Sequence, residues 1–451
     1  MTAIINVYIS LFSQSSPKPN MYQFFPSSFF NFEFTRVVGT IAFGGAELAE
    51  CLDAATQITS DDPESWHRGW LIQAEKANAI ALEAVEHGDC IAARDAFLRA
   101  ANYFRASQYM FNDRPWSPDP RVPEFFARSV NAFHHAIPIL AHRTHVLEIP
   151  YQDGHLPGYL FLPRQGNETG RKVPVVVCIN GADSTSEELY LLYGASGCDR
   201  GYAVLLFDGP GQGASLRQGR SAMRPDWEEV TTPVLDYVEQ LAEEHSEWLL
   251  DLSRIALVGV SMGAYYALRG AVDPRISACI AVDPFYDMFD LATSRMPPWF
   301  IRAWLAGWIT DGMFDATWRM LSRWNFQLKW ELTHVMWIFG KSSPAAATRE
   351  MQRYSLKGDE ESGEYLRQVK CGVMITGAAQ TIYTAPEIST LRIEQALDHL
   401  LEKKRHLWIA RDAGDGGLQG KVGAWRLLQQ RLFQFLDEQW DVKRSIEDIH
   451  G

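Results

Sequence analysis

The stretch that decides the fold is Arg254-Ile-Ala-Leu-Val-Gly-Val-Ser-Met-Gly263, followed by the helix-forming run Ala264-Tyr-Tyr-Ala-Leu-Arg-Gly-Ala271. The apolar run ends in a serine that has a glycine two residues before it and another two residues after it. A serine on a tight strand-to-helix turn has strained backbone angles, so these two neighbours must lack a bulky side chain. We therefore predict that Ser261 lies on a nucleophile elbow, exposed at the edge of a sheet, and acts as a catalytic nucleophile.

The usual partners of such a serine are missing from their expected places. A serine nucleophile needs an acid after a later strand and a histidine after the last one. The seventh strand candidate, Val373-Met-Ile375, leads into a loop in which Gln380 occupies the position of the acid. The eighth, His406-Leu-Trp-Ile-Ala-Arg411, is followed by residues 412–423, which contain no histidine.

Composition sets the class of protein and excludes several functions. The 451 residues, 47% of them apolar, are enough for one large core with a helical annex. A net charge of -13 argues against binding to nucleic acid or to an anionic membrane surface. Six cysteines are scattered singly, which indicates small core residues in a reducing compartment, the cytoplasm. No stretch has the roughly 18 apolar residues of a membrane span.

Residues 61–144 have the pattern of a helical annex. Asp62-Pro-Glu64 is a helix start, with a capping side chain, a proline at the first helical position and an early acid. His87-Gly-Asp89 ends that helix and caps the next one. No 34-residue repeat is visible, so a repeat scaffold is not favoured. Met21 is an alternative start, which makes residues 1–20 either disordered or an extension of the gene prediction.

From residue 145 the pattern changes to strands that alternate with helices. An antiparallel pair is predicted first, followed by six buried strands of a largely parallel sheet, so the fold class is α/β. Residues 286–366 form a predicted helical lid between the sixth and seventh strands, and this lid contains seven of the fifteen tryptophans. We predict a hydrophobic substrate pocket beneath the lid, with Trp299, Trp304, Trp308 and His334 as its candidate residues.

Several other motifs bear on possible binding sites. Asn180-Gly-Ala-Asp183 follows the third strand, so the N–H groups of Ala182 and Met262 are the candidate oxyanion hole. Asp208-Gly-Pro-Gly-Gln-Gly213 lacks the spacing of a dinucleotide loop and no helix is expected to open directly after it, so we interpret it as a tight loop near the pocket. Asn167-Glu-Thr169 is a glycosylation sequon that we take as a surface loop. No histidine pair has metal-ligand spacing, so no metal and no cofactor are predicted.

These motifs resemble those of a known family, the α/β-hydrolases related to dihydroxypseudooxynicotine hydrolase and to the polyketide chain-shortening hydrolase of conidial-pigment biosynthesis. The resemblance extends from about residue 60 to 440 and includes Asp62-Pro-Glu-Ser-Trp66, Leu156-Pro-Gly-Tyr159, Arg224-Pro-Asp-Trp227 and the elbow. It implies an eight-stranded α/β-hydrolase fold and cleavage of C–C or ester bonds in ketone-rich small molecules. Fungal relatives look like tailoring enzymes of polyketide and polyketide–amino acid pathways, including those of cytochalasan-type macrocycles.

The resemblance also places the missing histidine. The family's Glu-His-Cys-Gln-Val-Gly loop aligns with Leu418-Gln-Gly-Lys-Val-Gly423, which puts Gln419 at the histidine and leaves Gln380 at the acid. A glutamine cannot take a proton from serine near neutral pH. Three hypotheses therefore stay open. They are a hydrolase with a relocated base (His334, Asp283, Asp287 or Asp415), a non-hydrolytic enzyme of condensation, dehydration or ring closure, and a catalytically silent binding protein.

The expected partner is a hydrophobic small molecule, and a homodimer is left open. The predicted division of the chain is an N-terminal extension and lead-in (1–60), the annex (61–144), the first part of the core (145–285), the lid (286–366), the remainder of the core (367–440) and a tail (441–451).

Overall fold

The Arg254–Gly263 stretch occupies the middle of a twisted eight-stranded sheet in the computed structural model. The structure describes residues 22–111, 119–164, 170–219, 221–358, 364–383 and 385–444. The predictions on residues 1–20, on Met21 as a start and on the Asn167 sequon lie outside the described residues. The strands are β1 (Arg143–Tyr151), β2 (Gly154–Leu162), β3 (Val173–Ile179), β4 (Ala203–Phe207), β5 (Leu250–Val260), β6 (Ile276–Val282), β7 (Gly372–Ala378) and β8 (Arg405–Ala410).

The sheet order is β1-β2-β4-β3-β5-β6-β7-β8. β2 pairs antiparallel with both β1 and β4, and every other pair is parallel. Parallel strands need a crossover connection, and here helices provide the connections and cover both faces of the sheet. The predicted α/β class, the antiparallel opening pair and the largely parallel sheet are confirmed.

Within the described residues, the first third of the chain contributes five α-helices to one side of the molecule. They are α1 (Ser28–Gly39), α2 (Leu48–Gln57), α3 (Pro63–Glu86), α4 (Cys90–Gln108) and α5 (Arg121–Ala136). Asp62 caps α3 by accepting the Glu64 N–H, and Asp89 caps α4 by accepting the Ala92 N–H, both as the sequence predicts. The annex is therefore confirmed as helical.

The crossover helices and the lid complete the fold. The crossovers are α6 (Ser186–Leu189), α7 (Ala195–Cys198), α8 (Gly213–Arg217), α9 (Glu228–Glu244), α10 (Met262–Gly270) and α16 (Thr390–Ala396), and α17 (Trp425–Gln439) follows the last strand. Between β6 and β7, the described residues form five α-helices of the lid, namely α11 (Met288–Ser294), α12 (Pro298–Leu305), α13 (Asp311–Leu321), α14 (Phe326–Ile338) and α15 (Pro344–Glu350). α8 begins at Gly213, so the expectation that no helix opens after the Asp208–Gly213 loop is wrong.

Alternate residues of the strands face different cores. Val176 and Cys178 of β3 belong to a core shared with α1 and the annex, whereas Val175 and Val177 belong to a core shared with α9 and α10. A third, smaller core lies inside the lid. α1 is an integral part of the first core, since Phe29, Phe30 and Phe34 are fully buried. Among the residues that the structure describes, no helix combines the length and apolar character of a membrane span.

Candidate active site

Ser261 lies on the turn between β5 and α10, with φ 55° and ψ -114°. It is partly exposed, and its side chain does not cap the helix that follows. The two glycines are required by close contacts: a Cβ at Gly259 would lie 1.9 Å from the Gly263 carbonyl oxygen, and one at Gly263 would lie 2.4 Å from the Ile179 carbonyl oxygen. The backbone thus has the strained geometry expected of an elbow. Its role as a nucleophile stays a prediction.

The candidate oxyanion hole is formed where α10 begins beside the end of β3. Gly263 packs on the backbone of Ile179 and Asn180, which places the loop after β3 against the start of α10. In the described part of the chain, the N–H groups of Ala182 and Met262 donate to no protein acceptor. Two such N–H groups next to a serine can stabilise a developing oxyanion. This role for the two residues stays a prediction.

The Asp208–Gly213 loop supports the loop after β3. Asp208 Oδ1 accepts the Asn180 side-chain amide at 2.7 Å and the Ser186 N–H at 3.0 Å. Gln212 Nε2 donates to the Asn180 carbonyl oxygen at 2.5 Å. Burial, reinforced by the neighbouring Glu187, raises the pKa of Asp208 to about 7. The Asp208–Gly213 loop therefore holds the loop after β3 in place through these hydrogen bonds.

Gln419 is buried at the expected position of the triad histidine, and both ends of its amide are engaged. Its Nε2 donates to the Asp283 carbonyl oxygen at 3.2 Å, and its Oε1 accepts the Thr381 hydroxyl at 2.7 Å. Gln380, the predicted acid position, lies one residue before this contact, and its N–H donates to the Gly417 carbonyl oxygen at 2.8 Å. The two loops named by the sequence do meet, but the side chain that contacts Gln419 there belongs to Thr381.

Asp283, just after β6, forms an ion pair with a buried lysine. Lys421 Nζ lies 2.8 Å from Asp283 Oδ1 and donates to the Gly377 carbonyl oxygen at 2.8 Å, and the lysine side chain is 0% exposed. The Gly420 N–H donates to Asp283 Oδ2 at 2.7 Å. Burial lowers the pKa of Lys421, although Asp283 opposes this. Because its oxygens are occupied in this way, Asp283 fixes the loop of Gln419 and does not serve as a relocated base.

The other acids proposed as relocated bases are also accounted for. Asp287 caps α11 by accepting the Asp290 N–H at 2.8 Å, and it forms an ion pair with Lys357 at 3.1 Å. Asp415 is exposed in a short helical turn after β8. Neither geometry is that of a base held against Ser261.

His334 on α14 is the candidate base that the structure places beside Ala182, in the loop after β3. It is buried, and its Nε2 lies 3.0 Å from the Ala182 carbonyl oxygen. A carbonyl oxygen only accepts, so Nε2 carries the proton and Nδ1 is the acceptor of a neutral ring. Burial lowers the pKa of His334, which favours that neutral form. The ring stacks on Trp330, with a centroid distance of 4.8 Å.

The lid tryptophans divide into three groups. Trp304 is buried in the lid's own core, where it stacks on Phe314 at 4.2 Å, so the prediction that it lines the pocket is wrong. Trp299 and Trp308 are exposed, and their pocket roles stay predictions. Trp330 and Trp337, which the pocket prediction omitted, both have ring contacts with His334.

A cluster of charges, buried except for the partly exposed Asp183, adjoins the loop after β3 and is not predicted by the sequence. It contains three acids and two arginines, namely Glu33, Asp183, Glu188, Arg36 and Arg105. Burial raises the pKa of Glu33 from 4.5 to about 7, even though Arg36 opposes this. Burial also disfavours the charge of Asp183, but Arg36 and the Tyr109 hydroxyl hold the pKa of this carboxyl below its usual range. Of Glu33 and Asp183, Glu33 is therefore the one that takes up its proton at the higher pH.

This assignment predicts a pH-dependent effect of Glu33→Gln. A carboxyl with a raised pKa in the folded state stabilises the fold below its unfolded pKa and loses that contribution as the pH rises through the folded value. The window for Glu33 runs from 4.5 to about 7. The variant lacks this loss, so its free energy of unfolding relative to wild type should rise by up to about 3 kcal/mol between about pH 5 and about pH 8. Urea unfolding at the two pH values measures the difference. The exposed Glu75→Gln serves as the control, and equal effects of the two substitutions would contradict the assignment.

The sheet order, the elbow after the fifth strand and the lid after the sixth define the class of protein as an α/β-hydrolase. The family model described as "Alpha/beta hydrolase family" matches residues 176–354. Hydrolyase poxO of Penicillium oxalicum is 48% identical over 425 residues, which cover 94% of this chain and 100% of that protein. The chain belongs to the α/β-hydrolase family and is an enzyme of that family.

Two further relatives and one solved structure extend the comparison. Hydrolase acrC of Aspergillus aculeatus and 20-hydroxy-prefusarin hydrolase FUS2 of Gibberella moniliformis are each 46% identical, covering 94% of this chain and 100% of each relative. The crystal structure of the 2,6-dihydroxy-pseudo-oxynicotine hydrolase superposes with a TM-score of 0.64 at 19% identity, covering 90% of this chain and 97% of that one. At this identity the structural match shows the fold alone.

Proposed function

We propose that this enzyme acts on a carbonyl group of a hydrophobic polyketide or polyketide–amino acid intermediate and promotes its condensation or ring closure. The observation that carries the proposal is the engaged amide of Gln419, which replaces the histidine that would activate Ser261 for hydrolysis. An amide held by two hydrogen bonds cannot accept the proton of a serine hydroxyl. The oxyanion site remains, and it can polarise a carbonyl without a triad.

His334 supplies the base in this proposal. Its Nδ1 takes a proton from a methylene group that lies between two carbonyls, and the resulting carbanion attacks a second carbonyl carbon of the same molecule. A C–C bond forms, the C=O electron pair moves onto oxygen, and the N–H groups of Ala182 and Met262 stabilise that oxygen. The imidazolium returns its proton to the alkoxide, which gives the closed ring with a hydroxyl group. Nδ1 then removes the second proton of the former methylene, the hydroxyl group takes up this proton and leaves as water, and a C=C bond forms in the ring. Trp330 and Trp337 beside His334 favour an apolar substrate.

The relatives support a small-molecule substrate from fungal secondary metabolism. One of them is named for its action on 20-hydroxy-prefusarin, and it matches this chain over nearly its whole length. A hydrophobic intermediate is also consistent with the aromatic residues of the lid.

The direct test follows the mass of the product. A hydrophobic N-acyl amino aldehyde whose acyl chain is a β-keto amide has both the acidic methylene and the second carbonyl. Incubation with the purified enzyme should give a product lighter by one water, with no more solvent oxygen label than a sample without enzyme. Two fragments whose masses together equal that of the substrate plus one water, with label in a new carboxylate, would contradict ring closure and indicate hydrolysis.

Hydrolysis dependent on Ser261 is the second candidate, because the serine has the geometry of an elbow and the relatives are named hydrolases. In that case His334 would replace the missing triad histidine. The solvent-label experiment separates the two reactions.

Replacement of His334 tests the base in either reaction. His334→Gln retains an amide that can donate to the Ala182 carbonyl but has no basic nitrogen. We expect product formation to fall by about 10²- to 10⁴-fold, the range for loss of a general base. The matched control is Trp324→Phe on the exposed part of the lid, which should leave the rate unchanged. Wild-type activity in the glutamine variant would place the base elsewhere.

A further inference from the structure

Arg36, on helix α1, reaches the loop that carries the candidate oxyanion hole. Its Nη1 lies 2.6 Å from Asp183 Oδ2, while its Nε and Nη2 contact the two carboxylate oxygens of Glu188 at 2.6 and 2.5 Å. The side chain is only 10% exposed. The carboxylates of Asp183 and Glu188 contact different edges of the planar guanidinium, so its orientation is fixed.

Asp183 directly follows Ala182, and a second donor holds the same carboxylate oxygen. The Tyr109 hydroxyl donates to Asp183 Oδ2 at 2.5 Å. His334 Nε2 holds the preceding residue through the Ala182 carbonyl oxygen. Three distant parts of the chain, α1, the end of the annex and the lid, thus converge on two consecutive residues of one loop.

We propose that Arg36 is a positioning residue of the oxyanion site, and that by holding Asp183 it fixes the direction of the Ala182 N–H. Residues 180–185 form neither helix nor strand, so the backbone ladder does not orient this amide. The charge-assisted contact of Arg36 with Asp183, the residue after Ala182, orients the amide instead. The proposal deepens the proposed function and rests on its oxyanion site, but not on the type of reaction.

A positioning role has an energetic signature that differs from a simple charge effect. A misplaced donor loses its hydrogen bond to an anion, whereas the bound chain keeps its apolar contacts. Dodecanoate offers an anionic oxygen to the two N–H groups, and dodecanol offers the same chain without the charge. The ratio of their two affinities therefore reports on the oxyanion site separately from the apolar pocket.

The test measures both affinities by tryptophan fluorescence for four variants. Asp183→Ala removes a negative charge, so electrostatics alone predicts tighter dodecanoate binding, whereas loss of positioning predicts weaker binding. We expect dodecanoate affinity to fall by about tenfold relative to dodecanol. Tyr109→Phe changes no charge, retains stacking on Trp330 and should give a smaller loss in the same direction. Arg36→Met should give at least the loss of Asp183→Ala.

The control is Arg99→Gln, which removes an ion pair with Glu50 inside the annex and should leave both affinities unchanged. Free energies of unfolding are measured for all four variants, and Asp183→Ala and Tyr109→Phe keep the test valid if Arg36→Met does not fold. Tighter dodecanoate binding by Asp183→Ala with no change in Tyr109→Phe would overturn the proposal. A wild-type protein that binds dodecanoate no more tightly than dodecanol would also overturn the proposal. Failure of the ring-closure assay with the expected affinity ratios would instead overturn the proposed reaction and leave the role of Arg36 standing.

Discussion

Gly259→Ala is expected to destabilise the protein by about 4 kcal/mol or more, at the extreme of single substitutions. The added Cβ would lie 1.9 Å from the Gly263 carbonyl oxygen and 2.7 Å from the Ala264 N atom, and both are backbone atoms of the helix that starts at the elbow. Neither atom can move without shifting α10 away from β5. Urea unfolding followed by tryptophan fluorescence measures the loss of stability.

Gly414→Ala is the matched control, because a Cβ there meets no atom within 4 Å. Its effect should stay within about 0.5 kcal/mol, as for other surface substitutions. A Gly259→Ala variant as stable as the control would mean that the turn around Ser261 has a different geometry, and it would remove the structural basis of the elbow.

The elbow could be predicted because its requirement is local and steric. Two glycines around one serine define the turn, and the flanking strand and helix follow from the apolar pattern. The strands and the caps Asp62 and Asp89 are local in the same sense, and the structure confirms them.

The environment of the serine could not be predicted, because it depends on contacts between distant residues. Arg36 and Asp183 are 147 positions apart, and Lys421 and Asp283 are 138 apart. One signal was available: Glu33 and Arg36, three residues apart in a phenylalanine-rich helix, are charges that burial would force to find partners. The prediction for Trp304 failed for another reason. Because apolar residues dominate the lid helices, composition does not show that Trp304 packs within the lid while Trp330 meets His334.

Restoring a triad should produce the largest gain of activity. The structure indicates a different position for the acid of the triad than the sequence does. Alignment of the loops favours Gln380 as the acid position, but the Thr381 hydroxyl lies 2.7 Å from Gln419 Oε1. Because the side chain at 381 already contacts the side chain at 419, an acid at 381 is better placed to orient an imidazole at 419. The double variant Thr381→Asp with Gln419→His is therefore expected to hydrolyse nitrophenyl esters at least about 10²-fold faster than wild type.

Each single change should gain much less, because an imidazole without an orienting acid, or an acid without the imidazole, leaves the serine poorly activated. Asp283 does not supply the missing acid to Gln419→His alone, since Lys421 and the Gly420 N–H already occupy its carboxylate. The comparison variant is Gln380→Asp with Gln419→His, which has the same charge and the same imidazole but places the acid one residue earlier.

The outcomes separate the remaining explanations. Addition of Ser261→Ala to the double variant should abolish the gain, because the serine is the nucleophile of the restored reaction. A greater gain with the acid at 380 would show that the loop after β7 turns its side chains differently from the structure described above. If the wild type already hydrolyses nitrophenyl esters as fast as the double variant, Gln380 and Gln419 have no part in catalysis and another residue is the base. His334→Gln would then test whether that base is His334. Normal folding of the double variant without any gain would mean that the imidazole at 419 does not reach Ser261, so the site would be shaped for carbonyl chemistry in which serine activation has no part.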